Sequence, residues 1–156
     1  MQWPNGMEPE HAAVHVRNEL FIPAAPERVW RWLCRAVQWP EWYPNCAWVR
    51  LRSGSGPDLG PASAFTWKTF GVRVRSTVRV YEPFRELGWD AAAFGLHAYH
   101  GWLIEPQDSG SQVITEETQN GPLTAMGRWH LRRILSRNHR TWLEALSNAA
   151  AGGDPG

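Results

Sequence analysis

The chain has 156 residues, with 16 lysine and arginine residues against 15 aspartate and glutamate residues, which leaves a formal net charge of +1. This length fits one domain with a sizeable core, and the balanced charge gives no sign of a nucleic-acid or membrane-surface partner. No apolar run approaches the roughly 18 residues that a membrane-spanning helix needs. The unusual feature is the 11 tryptophans, which predict either a bulky core or a pocket for flat, apolar molecules.

The chain ends and the two cysteines bear on where the protein works. Residues 1–12 lack the charged and then apolar pattern of a secretion signal, and we expect them to form a flexible N-terminal arm. The Ala- and Gly-rich residues 149–156 are expected to form a flexible tail. Cys34 and Cys46 do not form a CxxC pair. We therefore predict a single domain over residues 13–148, in the cytoplasm and with reduced thiols; a secreted protein with one disulfide is the alternative.

The first third of the sequence predicts one strand and then two short helices. Apolar residues alternate over 14–22, as in a strand with one buried face. Pro26 suits the first turn of a helix, and the apolar residues from there to Val37 share one helical face. The segment WPEWYPN, with Pro40 and Pro44, predicts a second helix of a single turn.

Six further strands and a long helix are predicted next. The strands are expected at 46–52, 62–70, 72–81, 86–93, 95–105 and 111–119. Their short connections are rich in Gly, Pro, Asp and Ser, which suits antiparallel neighbours. From Leu123 to residue 148 the apolar period is helical, and such a helix is about 38 Å long. We therefore predict an α+β fold in which a curved seven-stranded antiparallel sheet grips the long C-terminal helix.

Several phrases of the sequence, in their order, resemble the START-like superfamily (SRPBCC, or helix-grip), and most of all its polyketide cyclase/dehydrase branch. They are IPAAPERVWRWL, WPEWYPN, FTWKTFGVRVRSTVRVYEPFRELGW, HAYHGWLIEP and VITEETQNGPL, and they span residues 14–148. The resemblance implies a pocket between the sheet and the long helix. Members bind sterols, lipids, polyketides or plant metabolites, and some are cyclases or hydrolases, so the fold alone does not assign a reaction.

The last two predicted strands place a histidine opposite a glutamate. If the hairpin turns at Pro106–Gly110, Trp102 faces Thr115 and His100 faces Glu117 on the inner face, with Cβ atoms about 5 Å apart. Glu117 would then accept a hydrogen bond from His100, and the pair could move protons in an aldol closure and dehydration. The alternatives are a pair that only satisfies its own hydrogen bonds and a register shift that turns both side chains to solvent.

Aromatic residues supply the predicted ligand-binding surface. Phe65, Trp67, Trp89 and Trp102 lie on the predicted inner face of the sheet, where Thr115 is a further candidate ligand-binding residue. These rings either stack against a flat ligand in a cavity or pack the core. Trp42 and Tyr43 lie in the second short helix, which the resemblance places at the pocket entrance; the alternative is a pair of half-exposed aromatics in a proline-rich turn.

The final helix is strongly basic. Between residues 123 and 142 it has no acid, and it carries Arg128, His130, Arg132, Arg133, Arg137, His139 and Arg140. Helical spacing spreads these groups around the helix, which favours a solvated surface. The alternatives are that Arg133 or Arg137 pairs with a carboxylate or phenolate of a ligand, or that the helix docks an acidic protein.

Metal and cofactor motifs are absent from the sequence. It has no HExxH, no paired CxxC, no dinucleotide-binding glycine pattern and no GxSxG. His97 and His100 would point to opposite faces of one strand, so they cannot bind the same ion. Cys34 lies on an apolar helix face, which indicates packing rather than nucleophilic chemistry. We therefore expect neither a metal nor a cofactor.

Three functional hypotheses follow. The first is a protein that binds an apolar, ring-containing metabolite in an internal cavity, as a monomer or a homodimer. The second is a polyketide cyclase or dehydratase that works through His100 and Glu117 without metal or cofactor. The third is a protein-interaction domain that works through its basic helix. Nucleic acid and stable membrane insertion are not expected.

Overall fold

Seven antiparallel strands form one sheet in the computed structural model, which describes residues 1–52 and 56–156. The strands are β1 (Val14–Ile22), β2 (Cys46–Leu51), β3 (Ala64–Thr69), β4 (Val72–Glu82), β5 (Glu86–Ala93), β6 (Leu96–Gln107) and β7 (Gly110–Asn120). Their order across the sheet is β1-β7-β6-β5-β4-β3-β2. The first two strands in sequence therefore lie at opposite edges, and the remaining strands follow one another through short hairpins.

Three α-helices complete the predicted α+β fold. They are α1 (Pro26–Cys34), α2 (Trp39–Trp42) and α3 (Pro122–Ala151), and the first two connect β1 to β2 across the sheet. The 30 residues of α3 give a helix about 45 Å long. It ends three residues later than the pattern predicts, because the alanines at 149–151 are strong helix formers. No described helix has the length and apolar character to cross a bilayer.

The turn from β7 into α3 depends on Gly121. Its φ is 130°, a backbone conformation that other residues rarely adopt. A Cβ atom at this position would also collide with the carbonyl oxygen of Gly95. Pro122 then occupies the first turn of α3, where its missing N–H has no helical partner to lose. This turn fixes where α3 starts along the sheet.

Trp39 lies at the centre of the core. Its side chain is fully buried, and its indole Nε1 donates a hydrogen bond of 3.0 Å to the carbonyl oxygen of Leu33. Four aromatic rings surround it with centroid distances of 5.3–5.8 Å. They are Phe65, Trp67, Trp89 and Trp142. The core therefore joins α2, the sheet and α3 through one indole ring.

Both cysteines are free and buried. Burial raises the pKa of the Cys46 thiol to about 12, and it raises the pKa of the Cys34 thiol still further. Both groups are therefore protonated at neutral pH, when the thiolate is the reactive form. Cys34 belongs to the apolar core together with α1 residues Val29 and Leu33.

Both ends of the chain contact the domain. The carbonyl oxygen of Met7 accepts a hydrogen bond of 2.8 Å from the Thr118 hydroxyl, and Trp3 packs against Tyr99 with ring centroids 5.4 Å apart. At the other end, Trp32 Nε1 donates to the carbonyl oxygen of Gly153 at 2.8 Å. These contacts place the N-terminal residues against β6 and β7 and the C-terminal residues against α1.

Candidate functional site

A cavity of about 410 Å³ lies between the sheet and α3. Its wall is mainly apolar because the strands turn aromatic rings and small alanines inward. The rings are those of Tyr43, Trp67, Trp89 and Trp142, and the alanines include Ala91 and Ala98. Exposed apolar side chains also line it, among them Phe70, Val72, Phe94 and Ile134. These four exposed side chains lie on the side of the cavity that opens to solvent.

Three ionisable side chains interrupt this apolar wall. His100 comes from β6, Glu117 from β7 and His139 from α3, and all three line the cavity. The predicted hairpin register is confirmed, since His100 pairs with Glu117 and Trp102 pairs with Thr115. The sheet therefore supplies two members of the group, and the helix brings the third across to them.

Glu117 lies between the two histidines. Its Oε2 atom is 3.1 Å from Nε2 of His139 and 3.6 Å from Nδ1 of His100. Its Oε1 atom accepts a hydrogen bond of 2.5 Å from the Gln119 amide. The imidazole that hydrogen-bonds the carboxylate is therefore His139 on α3, and His100 is too distant to donate the hydrogen bond that the hairpin alone predicts.

Thr115 holds the His100 ring. The Thr115 hydroxyl has a single proton, and it lies 3.3 Å from the carbonyl oxygen of Gly101, which can only accept. The same hydroxyl is 2.7 Å from Nε2 of His100. We assign the hydroxyl proton to the contact with Gly101 and the proton of His100 to Nε2, from which it is donated to Thr115. The other ring nitrogen, Nδ1, then carries a lone pair that faces Glu117.

The site holds a neutral His100 beside an ionised Glu117. Burial lowers the pKa of His100 to about 3, with a contribution from His139, and this outweighs the opposite effect of Glu117. Burial alone would raise the pKa of Glu117, but the hydrogen bond from His139 and the proximity of both histidines lower it below its usual value. At neutral pH the Glu117 carboxylate is therefore ionised within the apolar wall.

Replacing Thr115 by valine is expected to lower the free energy of unfolding by about 1–3 kcal/mol. Valine keeps the shape of the side chain but leaves the buried Nε2–H of His100 without an acceptor. Urea denaturation followed by circular dichroism measures the loss. The matched control is Thr66→Val, at a partly exposed strand position with a similar β-branched exchange. Equal stability of the two variants would contradict a stabilising hydrogen bond between Thr115 and His100.

Apart from Arg133, the other predicted site residues separate into three groups. Tyr43, Trp67 and Trp89 line the cavity. Phe65, Trp102 and Thr115 are fully buried behind that wall. Trp42 is half-buried beside Trp32 and Tyr43 and does not line the cavity.

Arg133 lies outside the cavity. It is exposed on α3 and lines an open groove between α3 and β1, together with Arg132, Arg137 and Arg140. None of these four arginines lines the cavity. The structure therefore does not bring Arg133 together with His100 and Glu117.

Two site residues were not singled out from the sequence, and both lie on α3. His139 is 2% exposed and Trp142 is 2% exposed, although the sequence groups His139 with the basic residues of the helix. The sequence spacing could have identified both residues, because positions 135, 139, 142 and 146 recur at helical intervals and so share one face of α3. Leu135, Trp142 and Leu146 are apolar, so a histidine on their stripe predicts a side chain that faces inward.

Comparison with known proteins agrees with this architecture. The family model described as polyketide cyclase / dehydrase and lipid transport matches residues 13–151. No curated protein matches the chain in sequence.

Solved structures show the same fold at low identity. The hypothetical protein jhp0584 from Helicobacter pylori has a TM-score of 0.88 and 24% identity, with 96% of this chain and 95% of that chain covered. The Zhui aromatase/cyclase from Streptomyces sp. R1128 has a TM-score of 0.71 and 17% identity, with 90% and 98% covered.

A third structure, the di-domain ARO/CYC StfQ from the steffimycin biosynthetic pathway, has a TM-score of 0.75 and 20% identity, with 89% of this chain and 51% of that chain covered. At such identities the likeness shows the fold. The family model, in contrast, matches nearly the whole described domain. From that match, the chain belongs to the polyketide cyclase/dehydrase and lipid transport family.

Proposed function

We propose that the cavity between the sheet and α3 binds one apolar, ring-containing molecule of the polyketide or lipid class. The observation that carries this proposal is the cavity itself, about 410 Å³ of space behind an apolar opening. Ligand pockets in proteins commonly measure about 300–1,000 Å³ and combine an apolar wall with a few polar groups. The family to which the chain belongs includes lipid transport and polyketide chemistry in its description.

The wall favours flat molecules that carry oxygen atoms. Trp67, Trp89 and Trp142 present aromatic rings to the cavity, and such rings gain from stacking on another flat ring. Trp89 and Trp142 also bury indole Nε1–H groups that have no hydrogen-bond partner in the described part of the chain. A ligand with carbonyl or hydroxyl oxygens would provide acceptors in this otherwise apolar space.

A tryptophan fluorescence titration tests the proposal. The panel contains anthracene derivatives with and without ring carbonyls, and saturated fatty acids of increasing length. We expect saturable quenching by the fused-ring compounds with Kd values of about 10 µM or tighter, and tighter binding by the carbonyl-bearing members. A panel without any saturable quenching would contradict the proposal.

Cofactor-independent cyclisation and dehydration is the second candidate function. The observation that favours it is the lone pair at Nδ1 of His100, which we assigned from the Thr115 contacts. As a general base, this nitrogen would take a proton from a carbon between two carbonyl groups of a polyketide, and the carbanion would attack a third carbonyl. The alkoxide formed by this attack would take that proton back and become a hydroxyl. His100 would then remove a second proton from the same carbon and give it to the hydroxyl, which leaves as water, so that a C=C bond forms and His100 is neutral again.

The test of this candidate compares kcat with ligand affinity. For a poly-β-ketone substrate, we expect His100→Ala to lower kcat by at least about 100-fold, with a much smaller change in Kd. The matched control is His130→Ala, which removes an exposed histidine from α3. Equal kcat values for the His100→Ala protein and the wild type would exclude His100 as the base.

A further inference from the structure

We propose that His100, Glu117 and His139 form a binding site for one divalent transition-metal ion of the zinc class, open on one side to the cavity. Their candidate ligand atoms all lie within 4.8 Å of one another. The three residues come from β6, β7 and α3, so no spacing motif in the sequence could reveal them. This inference goes beyond ligand binding by the cavity.

The distances within the group are close to those around a bound metal ion. Zinc binds imidazole nitrogen and carboxylate oxygen at about 2.0–2.2 Å, which places neighbouring ligand atoms about 3–3.5 Å apart in a tetrahedral site. Glu117 Oε2 is 3.1 Å from His139 Nε2 and 3.6 Å from His100 Nδ1. The two separations that involve Glu117 are therefore close to those of a tetrahedral site, and only the two imidazole rings need to approach each other.

The opposed lone pairs give the main argument for a cation. In the tautomer assigned above, Nε2 of His100 donates to Thr115, and the Nδ1 lone pair faces the carboxylate oxygen of Glu117 at 3.6 Å with no proton between them. Two acceptors that face each other at 3.6 Å form no hydrogen bond. A metal ion between them would satisfy both, and the Thr115 contact would fix the ring orientation as second-shell partners of metal-bound histidines do.

The charge of the group supports the same conclusion. The side chain of Glu117 is 13% exposed, and within the described residues its ion-pair partners are the two histidines alone. A carboxylate in an apolar wall is costly unless it is paired with a cation or coordinates a metal. A divalent ion would place positive charge directly on this carboxylate, while Gln119 holds the second carboxylate oxygen at 2.5 Å.

His139 can change its proton position when the metal binds. In the structure its Nε2 donates to Glu117, while Nδ1 is buried without a partner. In the neutral form of the ring, moving its single proton from Nε2 to Nδ1 frees the Nε2 lone pair for the metal. In that form the metal can bind without loss of a proton from the protein.

The chemistry of such a site differs from that of the metal-free group. Three protein ligands with an open fourth position are typical of catalytic rather than structural zinc sites. Because the three residues line the cavity, the open position would take a water molecule or a carbonyl oxygen of the ligand. A metal at Nδ1 also occupies the lone pair of His100, so it excludes His100 as a free general base.

Metal titration of the tag-free protein tests the inference without any organic ligand. After chelator treatment and desalting, we expect one Zn²⁺ per chain with a Kd of about 1 µM or tighter, measured by equilibrium dialysis and elemental analysis. Co²⁺ should give the visible absorption of a tetrahedral or five-coordinate nitrogen–oxygen site. His139→Ala and Glu117→Gln should each weaken binding by at least about 100-fold.

Two controls keep this experiment decisive. His130→Ala removes an exposed histidine from the same helix and should leave metal affinity unchanged. Glu117→Gln keeps the size of the side chain, so it remains informative if His139→Ala fails to fold, as judged by circular dichroism. Uptake below about 0.1 ion per chain at 100 µM Zn²⁺, or equal affinity in wild type and Glu117→Gln, would overturn the inference. The fluorescence titration with fused-ring compounds does not depend on metal uptake, so the metal-site proposal can fail while the ligand-binding proposal stands, and the reverse.

Discussion

Replacement of Trp39 by alanine is expected to lower the free energy of unfolding by about 4 kcal/mol. The side chain is fully buried and contacts four other aromatic rings. The substitution removes these contacts and leaves a large cavity at the junction of α2, the sheet and α3. It also removes the indole N–H that donates to the carbonyl oxygen of Leu33, which is left as an unpaired acceptor. Urea denaturation followed by far-ultraviolet circular dichroism measures the change.

The control for Trp39 is another tryptophan of the same chain. Trp129 is 75% exposed on α3, so Trp129→Ala should change the free energy of unfolding by about 0.5 kcal/mol or less. Trp39→Phe keeps an aromatic ring but loses the indole N–H, and its stability should lie between those of wild type and Trp39→Ala. A loss below about 1 kcal/mol for Trp39→Ala would show that this ring is not central to the core.

Filling the cavity from β5 is expected to abolish ligand binding. Ala91 lines the cavity and is 8% exposed. In an Ala91→Phe protein, the added benzyl group occupies space that a fused-ring ligand needs. We expect Kd for the tightest fused-ring compound to rise by at least about 100-fold, which corresponds to about 2.7 kcal/mol. Fluorescence titration measures this change.

The neighbouring alanine provides the matched control. Ala92 points to the opposite face of β5, where it lines an outer groove with Arg75, because successive side chains alternate across a strand. Ala92→Phe should therefore leave Kd within about twofold of the wild-type value. If Ala91→Phe and Ala92→Phe weaken binding equally, the ligand does not occupy the internal cavity.

Periodicity and turn chemistry were enough to predict the fold. Alternation over 72–81 and 111–119 marks β4 and β7 because each strand buries one face. Hairpin pairing then follows from the short connections, and the resulting register of His100 and Glu117 is the observed one. These features are local in sequence, since each depends on residues of one strand or of two consecutive strands.

The candidate site depended on contacts that local patterns do not contain. His139 reaches Glu117 across 22 positions of sequence, from a helix whose other charged residues face solvent. The position of Arg133 was similarly undetermined, because rotation of α3 by one residue would bring a different side chain to the cavity. The amino-acid composition does not show whether the tryptophan rings line a cavity or fill it, because this depends on how the side chains pack in three dimensions.

Assigned indole signals in a ¹H–¹⁵N spectrum give the most direct test of the internal binding site. During titration with the tightest fused-ring compound, we expect the Nε1–H signals of Trp67, Trp89 and Trp142 to shift, since their rings line the cavity. The signals of Trp48 and Trp129, which lie outside the cavity, should stay in place. Shifts confined to Trp48 or Trp129, or an unchanged spectrum at saturating compound, would contradict internal ligand binding.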